Sequence, residues 1–146
     1  MSQGNTPFAN DLINDIIPYV EKNFRALRTP ANRAIGGLSM GGGQTLAISF
    51  SRPEMFSHIV IMSAGSATAD KVYPTFFADP AARNKQIKLL WIGVGKDDTG
   101  AANNSRALDA MLTTAGIKHT LRITDGRHEW NVWRHHLNEV APLMFK

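Results

Sequence analysis

Near the N-terminus, apolar residues recur at every fourth position: Phe8, Leu12, Ile16, Val20 and Phe24, with Ile13 and Ile17 widening the stripe. That spacing predicts an amphipathic helix. Thr6 reads as its N-cap and Pro7 as its first helical residue. Pro18 lies inside the stripe and lacks a backbone donor, which predicts a kink or a break. Thr29-Pro30-Ala31-Asn32 reads as a loop.

Four short apolar segments follow, each bounded by turn residues: Arg33 to Leu38, His58 to Ser63, Lys88 to Val94, and Thr120 to Thr124. Helical patterns separate them at Met40 to Ser51 and at Ala101 to Ala115, where Ala107, Leu108, Met111 and Leu112 form a stripe. A last helix is expected from Asn131 to Met144, with Val132, Trp133, Leu137, Val140 and Leu143 inward. Strands alternating with helices predict an α/β fold, with a mostly parallel sheet of about four strands flanked by helices. The runs Ile59-Val60-Ile61-Met62 and Leu89-Leu90-Trp91-Ile92 are apolar at every position, as in strands buried on both faces. Residues 67–86 are longer and irregular, with Tyr73, Pro74, Phe76 and Phe77, and are expected to form a loop that walls a substrate site.

Composition narrows the class. With 146 residues, 43% of them hydrophobic and 19% charged, the chain is expected to form one globular domain, 1–146. No apolar run approaches the roughly 20 residues of a membrane helix, so no membrane partner is expected. The start, Met1-Ser2-Gln3-Gly4-Asn5, carries no basic and apolar leader, which as written predicts a cytoplasmic location. The net charge of +4 comes from scattered Lys and Arg without a dense block, so no nucleic-acid partner is expected. The absence of cysteine excludes disulfides and thiolate chemistry. His135, His136 and Glu139 could mimic metal ligands on a helix, but there is no H-E-x-x-H, and neither a metal nor a cofactor is expected.

The chemistry is signalled by Gly37-Leu38-Ser39-Met40-Gly41, a G-x-S-x-G pattern lying where an apolar strand runs into a helix. A serine on such a turn is forced into a strained backbone that pushes its hydroxyl above the sheet. Glycines at 37 and 41 are expected because side chains there would collide as strand and helix cross. The Met40 N–H would face an oxyanion, assisted by the positive end of the helix. The alternative, a phosphate-cradling turn, lacks both G-x-G-x-x-G and a Walker lysine.

A nucleophilic serine needs an imidazole to take its proton and a carboxylate to orient that imidazole. The strand at Leu89 to Val94 ends in Gly95-Lys96-Asp97-Asp98, and spacing alone does not separate the two aspartates. Of five histidines, His58 and His119 open strands and His135 and His136 lie in the last helix. Only His128 falls in a loop just past the last strand, in the order Ser, Asp, His that α/β-hydrolases require.

With these residues in place, the chain resembles the esterase D-like family of α/β-hydrolases, which includes feruloyl, acetyl xylan and enterochelin esterases. The resemblance rests on residues 32–43, on residues 89–98, and on Gly126-Arg127-His128-Glu129-Trp130, with Val132-Trp133-Arg134 beyond. It implies that Asp98, the aspartate of a G-x-x-D turn, is the acidic member, and that a small-molecule carboxylic ester is the substrate. Trp130 is expected to help form the pocket wall. Members of that family carry many more residues before the nucleophile, including the loop that donates a second oxyanion N–H. This chain therefore looks like a truncated α/β-hydrolase, the C-terminal part of the family fold, and it would be secreted if it is a fragment of a longer precursor. The strand Arg33 to Leu38 would then be an edge, and self-association into a homo-oligomer is expected to cover it. The expected activity is that of a serine esterase working through an acyl-enzyme. Acyl transfer to another alcohol would use the same residues, and a non-catalytic remnant or assembly module is the alternative.

Overall fold

The computed structural model describes residues 6–146; the Met1–Asn5 start, read above for a leader, lies outside the described residues. Four strands, β1 (Ala34–Leu38), β2 (His58–Met62), β3 (Leu89–Gly95) and β4 (Thr120–Thr124), form one parallel sheet in the order β1-β2-β3-β4. Each falls within one residue of the segment its apolar run predicts. The cause is visible in burial: all five residues of β2 are buried, as are six of the seven in β3.

The side-chain alternation of the strands divides the core in two. Ile59, Ile61, Leu90 and Ile92 point to one face, where Leu46, Ile48 and Phe50 of the Met40–Ser51 helix meet Leu108 and Leu112 of the Thr99–Ala115 helix. Val60, Met62 and Trp91 point to the other, which the Trp130–Val140 helix covers with Val132, Trp133 and Val140. No described helix is long and apolar enough to cross a membrane.

Several expectations need correction. Before Pro18 the N-terminal helix does not break but widens. Residues Asp11–Ile16 form a π-helical turn between Pro7–Asn10 and Ile17–Asn23, with the Ile17 N–H reaching back to the Leu12 carbonyl. A wide turn of this kind absorbs a position whose backbone donor is missing. Residues 67–86 are not a loop but three short helices, Ala69–Val72, Pro74–Phe77 and Pro80–Gln86. Their aromatic residues serve the core rather than a site wall: Phe76 is fully buried and stacks on Phe50 at 3.8 Å, and Tyr73 meets Phe50 edge-on. The last helix ends at Val140, and the 3-10 turn Ala141–Leu143 follows. Leu137 and Leu143 are exposed, and His136 takes the inward place instead.

β1 pairs only with β2, so its other edge is free of strand partners among the described residues. A groove of about 520 Å³ lies between the N-terminal helix and this edge, lined by Phe8, Leu12, Ile16, Leu27, Ile35 and Phe56.

Candidate active site

Ser39 stands between β1 and the Met40–Ser51 helix with φ 55° and ψ −120°, a conformation that L-residues rarely adopt. The turn is held by the Ser39 N–H, which donates to the Met62 carbonyl at 2.9 Å, and by the Gly43 N–H, which donates to the Ser39 carbonyl at 3.0 Å. A Cβ at Gly37 would collide with the Gly41 backbone, so the close crossing requires glycine there. At Gly41 the expectation fails: its own Cβ would meet nothing, because this position faces the groove beside β1. Met40 begins the helix, so its N–H is one of the first-turn donors that have no intrahelical acceptor.

Asp98 follows the β3 exit turn and His128 the β4 exit loop. Backbone hydrogen bonds tie the two together: Lys96 N–H to the Thr124 carbonyl at 2.7 Å, and Asp97 N–H to the Gly126 carbonyl at 3.0 Å. Gly95 lies so close to the Gly126 carbonyl that a Cβ would collide with it. Across the same two loops Lys96 pairs with Asp125 at 2.8 Å, a hydrogen bond that raises the lysine pKa and lowers that of the carboxyl.

The result is a chain of short contacts. His128 Nε2 lies 2.7 Å from Ser39 Oγ, and His128 Nδ1 lies 2.6 Å from Asp98 Oδ2. The Asp98 side chain is 12% exposed and that of His128 43%. Asp97, which spacing could not separate from Asp98, is exposed. With Asp98 accepting from Nδ1–H, the neutral imidazole presents its Nε2 lone pair to the serine hydroxyl, the arrangement for withdrawing its proton.

The remaining candidates are placed as follows. Trp130 opens the last helix two residues past His128 and is 68% exposed, and its ring meets Trp133 edge-on at 5.3 Å. His135 pairs with Glu139, and His136 Nε2 shares a hydrogen bond with Thr124 Oγ1 at 2.9 Å. His119 bridges to Asp109, while His58 is buried between Ser57 Oγ and the Phe145 N–H. Two residues near the site escaped the sequence reading. The Trp133 ring packs perpendicular to His128 at 4.9 Å, and its Nε1–H donates to Ser63 Oγ at 2.9 Å. The sequence signals for Trp133 were its inward position on its helix and its place in the family-like stretch Val132-Trp133-Arg134; nothing marked Ser63 as part of a site.

The family model described as "Putative esterase" matches residues 2–144. The chain belongs to that esterase family. Similarity to a curated member is substantial: an endo-1,4-beta-xylanase/feruloyl esterase of Xylanibacter ruminicola is 34% identical over 140 residues, covering 95% of this chain and 18% of that one. Solved structures share the fold at lower identity. A CE1 ferulic acid esterase of Anaeromyces mucronatus superposes with a TM-score of 0.75 at 20% identity, over 93% of this chain and 52% of its own. The enterobactin esterase of Shigella flexneri gives 0.70 at 17% identity, over 97% and 40%. This esterase-family chain thus spans about half the length or less of these three relatives.

Proposed function

We propose that the chain hydrolyses carboxylic esters through an acyl-enzyme. The reading rests above all on the continuous contacts Ser39–His128–Asp98 at the ends of β1, β3 and β4, and membership of an esterase family supports it. Ser39 Oγ attacks the ester carbonyl carbon while His128 Nε2 takes its proton. The tetrahedral oxyanion accepts from the Met40 N–H. Collapse expels the alcohol, which receives its proton from His128. Water then attacks the acyl-enzyme, giving a proton to His128, and the acid departs as Ser39 is regenerated. Asp98 holds Nδ1 protonated and stabilises the imidazolium in both halves.

On substrate class, the feruloyl and ferulic acid esterase names of two relatives favour feruloyl esters, and Trp130 offers an exposed ring on which an aromatic acyl group can lie. The half-exposed His128 favours short acyl chains over long ones, because an open site buries little of a long chain. A p-nitrophenyl ester series comparing wild type with Ser39→Ala tests the whole reading. Equal rates in the two proteins end it, and a rate peak at long acyl groups ends the short-chain part.

A second reading, a non-catalytic assembly module, is favoured by the unpaired β1 edge and the apolar groove beside it. Failure of a fluorophosphonate probe to label Ser39 supports that reading over the first.

A further inference from the structure

We propose that Ser63 and Trp133 act as a positioning pair that fixes the orientation of the His128 ring; the inference rests on the esterase reading above and deepens it. A hydrogen bond from Nδ1 to Asp98 sets the distance of the imidazole but leaves the ring free to roll about that bond. His128 is nearly half exposed, so burial does not restrain it. The perpendicular contact with Trp133, at 4.9 Å and 89°, meets the ring from the side and stops that roll. With the roll fixed, Nε2 stays directed at Ser39 Oγ.

Trp133 must itself be held for this to work. The residue is 8% exposed, and its Nε1–H donates to Ser63 Oγ, a hydroxyl on a residue that is 4% exposed. Ser63 leaves β2 at φ 48°, in the left-handed region, and its own N–H donates to the Gly93 carbonyl at 2.7 Å. Its neighbour Met62 supplies the carbonyl that accepts from the Ser39 N–H. The end of β2 is therefore attached on one side to the backbone of the nucleophile and on the other, through the indole, to the ring that deprotonates it. A residue kept in a disfavoured conformation, buried, with its hydroxyl aimed at one partner, fits a positioning role.

Two gentle variants test the pair. Ser63→Gly removes the acceptor while suiting the positive φ, and Trp133→Phe removes the donor while keeping a ring. Melting curves within a few degrees of wild type establish that both fold. The first readout is the downfield NMR signal of the His128 Nδ1 proton, assigned by its loss in His128→Gln, and it requires no turnover. We expect the signal to shift or broaden away in both variants. The second is the steady-state split on p-nitrophenyl acetate. We expect kcat to fall about 10- to 100-fold with KM within about twofold, and the double variant to be no worse than the poorer single one. An unmoved proton signal in both variants overturns the proposal whatever the turnover. An unmoved kcat does so too when wild type is active. An inactive wild type whose Ser39 takes no fluorophosphonate ends the esterase reading instead, while the NMR signal still decides the positioning.

Discussion

Asp98 occupies the N-cap of the Thr99–Ala115 helix, yet its carboxylate makes no cap hydrogen bond and turns instead to His128 Nδ1 at 2.6 Å. An aspartate in that position ordinarily accepts from the first-turn N–H groups and stabilises its helix by about 0.5–2 kcal/mol. Here its lone pairs serve the imidazole. Asp98→Asn is therefore expected to cost on the order of 10³–10⁴ in kcat, by favouring the wrong tautomer. Its melting temperature should stay close to that of wild type, because no cap is lost. Asp97→Asn should leave kcat within about threefold. Steady-state kinetics and calorimetry on the two variants check this; a larger loss in Asp97→Asn would reverse the assignment.

The strain at Ser39 yields an opposite pair of effects. At φ 55° and ψ −120° the backbone favours glycine, and such conformations cost about 1–3 kcal/mol in other residues. Ser39→Gly should abolish ester turnover and raise the melting temperature by a few degrees. A fall in melting temperature would show that the serine side chain stabilises the turn more than its backbone strains it.

His136 gives the fold a pH dependence in the acidic range. Its ring is fully buried with Nδ1 unpartnered, and burial pushes its pKa down to about 4, partly offset by Glu139. The unfolded chain binds a proton at this histidine near pH 6.5, and the folded chain only near 4. Stability from this site is therefore complete above about pH 6.5 and is lost as pH falls toward 4, by at most about 3 kcal/mol. Burial lowers the His58 pKa as well, with Lys88 adding to the effect, so both act in the same direction. Urea unfolding of wild type and His136→Leu at pH 7.5 and 4.5 isolates the first: the variant should lose less stability between the two. Equal losses would remove His136 as a source.

We further propose that the chain self-associates through the edge of β1 that has no strand partner among the described residues, with a second copy covering the groove where Phe8, Ile16 and Leu27 remain exposed. An unpaired strand beside an apolar groove is a surface that pairing relieves. Sedimentation at micromolar concentration should show a species heavier than one chain, and Ile16→Glu with Leu27→Glu should return it to one. A clean wild-type monomer counts against the proposal.

The strands were legible because β2 and β3 are buried on both faces and so carry apolar residues without interruption. Ser39 and His128 were legible because each sits at a strand exit that sequence order marks. Asp98 could not be told from Asp97 by spacing; the family resemblance chose it, and it is the aspartate in contact with His128. What stayed hidden depends on contacts between distant residues. Phe76 belongs to the core because it stacks on Phe50, 26 positions earlier, which no local pattern reports. The inward place on the last helix went to His136 rather than Leu137 because a polar residue with a partner, Thr124, can occupy a core position. Ser63 and Trp133 are 70 residues apart, and their hydrogen bond leaves no periodicity to read.

The sequential order of the sheet has one more consequence. Because the strands lie side by side in chain order and all run the same way, their exits form a row of four seats: Ser39, Ser63, Asp98 and, past β4, His128. The opposite rim, where chain enters each strand, holds none of these groups. A fluorophore attached to the exposed Lys88 before β3 or Lys118 before β4 would hang from that rim, a sheet's height away from the row of seats. The fold thus keeps the end that would react apart from an end that can carry a label.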